Sequence, residues 1–289
     1  MNKDLLFEEM SISNAVQEET NKIMSIIEQQ LNSCSGELLF MPFLKKDVLT
    51  KHTMIKLSKS IFQYVDYIFV TVYFGETKKD REYLFYEANC GGTFEIGNRT
   101  IIAKCLGYEN GKIDSTFLKS VICHELKHAY QEMLYNNKTL PSIFKTATNI
   151  INNPGYFENT IIYYVSRLLY YFNRNEINSK LEEYYVYLNN DKPQSFEELK
   201  MCPIIQEYQH HKGMFDDVFN HAKKPNELDN LNKIFKNIFG KSFIELRNII
   251  KLGIDYSNIK MKKVFGRYKM EEKQKMNEMR YGPKRFYAR

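Results

Sequence analysis

The fold and the chemistry expected of this chain follow from residues 121–132, VICHELKHAYQE. Within this stretch, His124 and His128 stand four positions apart. Because residues i and i+4 differ by about 40° around an α-helix, both imidazoles would point to one side of it. Glu125 lies about 100° from His124, on the flank of the same face. The stretch therefore predicts a helix that carries two histidines and an adjacent carboxylate on neighbouring faces.

The residues around this motif predict that the helix is buried on its other side. Asp114 and Ser115 are typical N-cap residues, so we expect the helix to run from there to about Tyr135. The arc opposite the histidines is formed by Leu118, Ile122, Leu126, Ala129, Tyr130 and Met133. An apolar stripe of this kind packs a helix into a core and would fix the orientation of both imidazoles.

The residues before the motif predict a small sheet, and those after it predict helices. Residues 67–74 are β-branched and aromatic, which favours a strand. Further strands are expected at 83–86, 93–96 and 100–104, with a break at Gly91-Gly92 and a turn at Gly97-Asn98. Helices are expected at 1–33, 50–65, 141–152, 156–173, 175–190, 195–221, 227–239 and 241–279. The predicted fold class is α+β, with a small mixed sheet packed on the central helix and a mostly helical C-terminal half.

The motif HELKHAYQE, residues 124–132, resembles the active-site helix of the zincin metallopeptidases. The strands predicted within 93–104 resemble the zincin sheet, whose edge strand pairs with an extended substrate. The longer metzincin motif HExxHxxGxxH is not present, because position 131 is Gln and position 134 is Leu. The resemblance therefore implies the gluzincin branch, in which a Glu on a later helix is the third metal ligand.

The segment 168–183 resembles the part of gluzincins that supplies this third ligand. Its Asn-Glu pair ends at Glu176, and the small Ser179 follows three residues later, which allows close helix approach. The resemblance implies Glu176 as the ligand, with Glu183 and Glu182 as alternatives.

One position departs from the gluzincin pattern. Many members have an Asp four residues after the ligand, where it orients a histidine, but this chain has Lys180 there. The group that orients a ligating histidine must then come from elsewhere, and Glu132 is one candidate. A surface charge is an equally good interpretation of Glu132.

Two histidines and one Glu are a donor set typical of catalytic Zn²⁺, and they would leave a fourth position for water. The expected function is a zinc-dependent metallopeptidase that hydrolyses peptide bonds with a zinc-bound water and Glu125 as general base. Such a reaction also needs a donor to the developing oxyanion. Candidates for this donor are His210, His211 and Tyr184.

Composition and cysteine usage suggest a compartment. The chain has 289 residues, of which 43% are apolar and 26% are charged, as in ordinary globular proteins. We expect no secretory leader and no membrane contact, since no run of 18 apolar residues occurs. The cysteines are odd in number and lack a CxxC pair, which is typical of reduced thiols. The expected location is the cytoplasm of a bacterium or a phage-infected host cell, with a virion-associated protein as the alternative.

The chain is expected to comprise an N-terminal helical segment (1–66), a zincin-like core (67–190), a helical subdomain (191–259) and a basic tail (260–289). The net charge is +6, and the tail holds eleven Lys or Arg against three Glu. Its basic and aromatic residues could bind nucleic acid or an assembly partner, whereas the simplest interpretation is a solvated helix.

Two functions of different classes fit these features. The first is an active peptidase that acts on a peptide or protein substrate. The second is a structural or interaction protein built on a zincin scaffold, such as a phage virion component with weak or no peptidase activity. The presence of Glu125 favours the enzyme, because a purely structural metal site does not need a general base.

Overall fold

The computed structural model describes residues 3–33, 39–41, 48–58, 64–75, 77–88, 90–108, 111–134, 141–193, 195, 198–219 and 225–281. Cys34 and residues 282–289 of the expected tail lie outside these ranges. The chain divides into two compact units, residues 1–138 and 139–289. The four segments expected from the sequence had other boundaries, at 66, 190 and 259.

The first unit combines helices with one sheet. Its described elements are α1 (Lys3–Ser33), β1 (Leu39–Met41), β2 (Val48–Lys56), β3 (Tyr67–Gly75), α2 (Lys78–Glu87), β4 (Gly91–Glu95), β5 (Thr100–Tyr108) and α3 (Ser115–Leu134). The strand order in the sheet is β1-β2-β3-β5-β4. β3 and β5 are parallel, and the other neighbours are antiparallel. The predicted mixed α+β class is confirmed.

The core of the first unit lies between the sheet and the helices α1 and α3. Residues along β5 alternate between buried and half-buried, as expected of a strand with one face on a core. α3 packs against α1, β4 and β5. Fully buried side chains from these elements include Ile23, Ile27, Ile68, Ile101, Leu118 and Ile122. This core holds the helix with the two histidines against the edge of the sheet.

The helix predicted at 50–65 is wrong over residues 50–56, which belong to β2, whereas residues 59–63 of the prediction lie outside the described ranges. This strand pairs antiparallel with β3 from Leu49↔Phe74 to Lys56↔Tyr67. Its burial alternates at the start, where Val48 is buried and Leu49 exposed. Pairing with a neighbouring strand therefore overrides the local helical spacing of the apolar residues.

The strand predicted at 83–86 is also wrong, because these residues belong to α2. The helix begins with a reciprocal capping box. Thr77 Oγ1 accepts a hydrogen bond from the backbone N–H of Asp80 at 3.1 Å, and Asp80 Oδ2 accepts one from the N–H of Thr77 at 3.2 Å. The capping pattern TxxD thus outweighs the strand preference of the aromatic residues that follow it.

The described secondary structure of the second unit is helical, as predicted. Its elements are α4 (Ser142–Asn152), a 3₁₀ turn (Gly155–Phe157), α5 (Ile161–Tyr171), α6 (Arg174–Asp191), a 3₁₀ turn (Glu198–Met201), α7 (Pro203–Phe219), α8 (Pro225–Phe239) and α9 (Phe243–Tyr281). Tyr184, Phe235 and Tyr268 are its largest fully buried side chains. These rings fill one hydrophobic core shared by the six helices.

Most of the expected basic tail is a continuation of α9. Tyr268 is 2% exposed within the core of the second unit, and Phe265 packs against the same core. Arg267 lies over the ring of Tyr185, with 5.3 Å between the guanidinium carbon and the ring centroid. Two aromatic rings of the expected tail are therefore engaged in packing within the second unit.

Gly253 allows α9 to pack closely against the end of α5. A Cβ at this position would collide with the carbonyl oxygen and the Cβ of Phe172. Gly253→Ala should therefore lower the free energy of unfolding by about 1–2 kcal/mol, because the clash outweighs the gain in helix propensity.

Gly266→Ala on the same helix is the control, since a Cβ there has no neighbour within 4 Å. Gly266→Ala should raise the free energy of unfolding by about 0.5–1 kcal/mol. Urea unfolding of both variants would measure their difference in this free energy. Equal effects of the two substitutions would contradict the close approach.

Candidate metal centre

The helix that carries the histidines starts as predicted. The backbone N–H of Phe117 donates to Asp114 Oδ1 at 3.0 Å, which caps the N-terminus of α3. Residues 120–127 are all buried, so the helix is enclosed on nearly every side. A helix buried in this way has little freedom to rotate, and its side chains keep fixed directions.

His124 and His128 point to one side of α3, as their spacing predicted. Their Nε2 atoms are 3.0 Å apart, and the ring planes make an angle of 73°. His124 is buried and His128 is half-buried. Two imidazole nitrogens that face each other at this distance can share a cation between their lone pairs.

Gln131 was not expected to take part in this site. Its Oε1 lies 3.2 Å from Nδ1 of His128, and its side chain is buried. An amide oxygen only accepts hydrogen bonds, so Nδ1 of His128 is the donor. The signal available in the sequence was the i+3 spacing between the two residues, which brings them to the same helix face.

Glu125 lies on α3 against the edge strand β4. A Cβ placed at Gly92 would come within 2.7 Å of Glu125 Cγ and 2.8 Å of its Oε1. It would also come within 2.7 Å of Val121 Cγ1, so only glycine allows this approach. The interpretation of Gly91-Gly92 as a break is wrong, because these residues begin β4. At Gly92, the missing side chain lets the strand backbone approach the carboxylate of Glu125.

Glu176 lies in the first turn of α6, where the sequence placed it. Asn173 caps this helix, with its Oδ1 accepting from the backbone N–H of Glu176 at 2.9 Å. The side chain of Glu176 is 4% exposed. Ser179, on the following turn, is fully buried. A buried carboxylate of this kind needs a partner of opposite charge or hydrogen-bond donors.

The ligand atoms of His124, His128 and Glu176 all lie within 4.8 Å of one another, so this group could hold a metal ion. The donor set also fits zinc. Two nitrogens at about 2.05 Å from a tetrahedral zinc ion are roughly 3.3 Å apart, close to the separation of the two Nε2 atoms. Two imidazoles and a carboxylate suit zinc better than the hard cations, which prefer oxygen ligands.

The alternative ligand Glu183 contacts Lys180 in the second unit. Lys180 Nζ lies 3.1 Å from Glu183 Oε1 and 3.1 Å from Glu207 Oε2. Burial alone would lower the pKa of Lys180, but Glu183, Glu207 and Glu176 outweigh it, and the pKa lies well above its ordinary value. The position where gluzincins have an orienting Asp therefore holds a charged ammonium group.

The three candidates for the oxyanion donor have different environments within the second unit. His210 is exposed on α7. His211 is buried, its ring stacks on Tyr171 with 3.9 Å between centroids, and burial lowers its pKa to about 4. Tyr184 is fully buried in the helical core, where burial raises its pKa. The identity of the oxyanion donor stays a prediction.

Comparisons with protein-family models, with curated proteins and with solved structures give no match for this chain. Among the described residues, no helix has the length and apolar character needed to span a membrane. None of the four cysteines in the described ranges forms a disulfide bond.

Proposed function

We propose that this chain is a zinc-dependent peptidase of the zincin type, with His124, His128 and Glu176 as metal ligands. The observation that carries the proposal is that the ligand atoms of these three residues all lie within 4.8 Å of one another. Glu125 follows His124 directly on α3. A sequence that contains HExxH by chance is not expected to bring a carboxylate from another helix to the two histidines. A zinc ion bound here would polarise a peptide carbonyl and lower the pKa of a water in the remaining position to about 7.

Glu125 is the general base in this proposal. It follows His124 directly on α3, and its carboxylate is held beside the backbone of Gly92. From this position it accepts a proton from the attacking water and passes it to the leaving amine. A general base supplies about 10²- to 10⁴-fold of the rate enhancement in such reactions.

β4 is the element that binds the substrate backbone in this proposal. It is the last strand in the sheet order, and it pairs with β5 on one side only among the described strands. An extended peptide that adds to such an edge gains main-chain hydrogen bonds irrespective of its side chains. Since Gly92 of this strand contacts Glu125, a peptide paired with β4 would have its backbone close to the general base.

The third ligand is tested by zinc titration of the wild type and Glu176→Ala. The wild type should bind one zinc ion per chain, and Glu176→Ala should bind it more than about 100-fold more weakly, because one of three ligands is lost. Glu183→Gln is the control and should bind zinc like the wild type. Unchanged affinity in Glu176→Ala, or a loss confined to Glu183→Gln, would contradict the ligand assignment. Competition with a chromophoric chelator gives the three dissociation constants.

A further inference from the structure

The contact between His128 and Gln131 has a chemical consequence for the metal site. Both residues lie on α3, one turn apart, with 3.2 Å between Nδ1 of His128 and Oε1 of Gln131. Gln131 is 7% exposed, so water cannot easily take the place of its amide oxygen. Because an oxygen acceptor faces Nδ1, that nitrogen must carry the proton.

The second nitrogen of the same ring is then fixed as well. In a neutral imidazole one nitrogen donates and the other carries a lone pair. With the proton held at Nδ1, the lone pair of His128 lies on Nε2, which faces Nε2 of His124 at 3.0 Å. This is the tautomer that a metal ligand requires, and a partner on the far nitrogen also restrains the rotation of the ring.

We infer that Gln131 is a positioning residue that selects the metal-binding tautomer of His128, an inference that rests on the proposed zinc site. Gln131 takes the place of the orienting carboxylate that many gluzincins have at the position of Lys180. A neutral amide is a weaker acceptor than a carboxylate, so it orients the ring without adding negative charge to the site. Glu132, the candidate named from the sequence, is not needed for this role.

The inference is tested first on the zinc-free protein. The ¹⁵N shifts of the histidine ring nitrogens report which nitrogen carries the proton, and His128→Gln identifies the signals of His128 among the six histidines. The wild type should have the proton of His128 on Nδ1. Gln131→Met, which keeps the volume but lacks the acceptor, should shift the population toward the Nε2–H tautomer. Gln131→Glu, which keeps an acceptor, should retain the proton on Nδ1.

Zinc affinity gives the second measurement. Gln131→Met should bind zinc about 10- to 100-fold more weakly than the wild type, whereas Gln131→Glu should bind it at least as tightly. Glu132→Gln is the matched control on the neighbouring position and should change the affinity less than about threefold. If Gln131→Glu binds zinc as tightly as the wild type and Gln131→Met does not, the loss comes from the missing acceptor and not from altered packing, since both side chains fill the same space.

Two results would overturn the inference. One is an unchanged tautomer of His128 in Gln131→Met, and the other is an unchanged zinc affinity in that variant. If the wild type itself binds no zinc, the proposed function fails, and the tautomer measurement still decides the role of Gln131. A failure of the proposed function can therefore be distinguished from a failure of the inference about Gln131.

Discussion

Glu125→Gln should slow peptide hydrolysis strongly while leaving zinc binding intact. The amide has nearly the same size as the carboxylate, so it fits against Gly92, where the space is limiting. It cannot accept the proton of the attacking water at neutral pH, and we expect a rate about 10²- to 10⁴-fold lower. Cleavage of a quenched-fluorescent peptide library by zinc-loaded protein measures the rate, and chelator competition measures the zinc.

Glu132→Gln is the control for this experiment, because it removes a carboxylate from the same helix and leaves His124, Glu125 and His128 in place. It should cleave the library within about threefold of the wild-type rate. If Glu125→Gln keeps its activity, Glu125 is not the general base. If the zinc-loaded wild type cleaves nothing in the library, the alternative of a scaffold with structural or interaction function is favoured.

Lys180→Met should lower the free energy of unfolding by about 2–3 kcal/mol at pH 7. The ammonium contacts Glu183 and Glu207, and its side chain is 20% exposed. Removing one partner of a fully buried ion pair costs about 3–5 kcal/mol, whereas an exposed pair contributes about 0–1 kcal/mol. This pair lies between the two cases, and the carboxylates that remain would repel each other. Urea unfolding of the full chain, followed by circular dichroism, measures the change.

The loss of unfolding free energy in Lys180→Met should become smaller as the pH falls from about 7 toward 5. Burial raises the pKa of Glu207, and Lys180 opposes this rise. Without the ammonium, the folded-state pKa of Glu207 rises further above its unfolded value. The folded state then takes up more protons than the unfolded state, so acidification stabilises the variant relative to the wild type.

Lys241→Met provides a matched comparison for this prediction. Lys241 pairs with Glu245 at 3.4 Å, but the two side chains are 46% and 50% exposed. Its loss should change the free energy of unfolding much less than the loss of Lys180 and should show little dependence on pH. A cost at Lys180 no larger than at Lys241 would mean that the pair with Glu183 and Glu207 is screened by solvent.

The parts of this protein that the sequence predicted well are those set by local chemistry. The spacing of His124 and His128, the cap at Asp114 and the turn at Gly97-Asn98 each depend on residues a few positions apart. These signals do not need knowledge of distant packing. The geometry of α3 and the hairpin of β4 and β5 could therefore be predicted from short stretches of sequence.

The errors occurred where distant partners decide the structure. Residues 48–56 form a strand because β3 is available to pair with them, and no local feature of the segment specifies that partner. The role of Gly92 could not be predicted either, since it depends on where Glu125 lies in three dimensions. Gln131 had a local signal in its i+3 spacing, but that spacing alone does not distinguish an orienting amide from a surface residue.

β4 also has features that limit the pairing of a sheet edge with a second copy of the chain. A long, flat strand at the edge of a sheet offers a row of backbone groups to which a second molecule can add, and aggregation often starts at such edges. β4 has only five residues, starts with two glycines and ends with the exposed side chain of Glu95. Such a short strand offers a second folded copy few backbone hydrogen bonds.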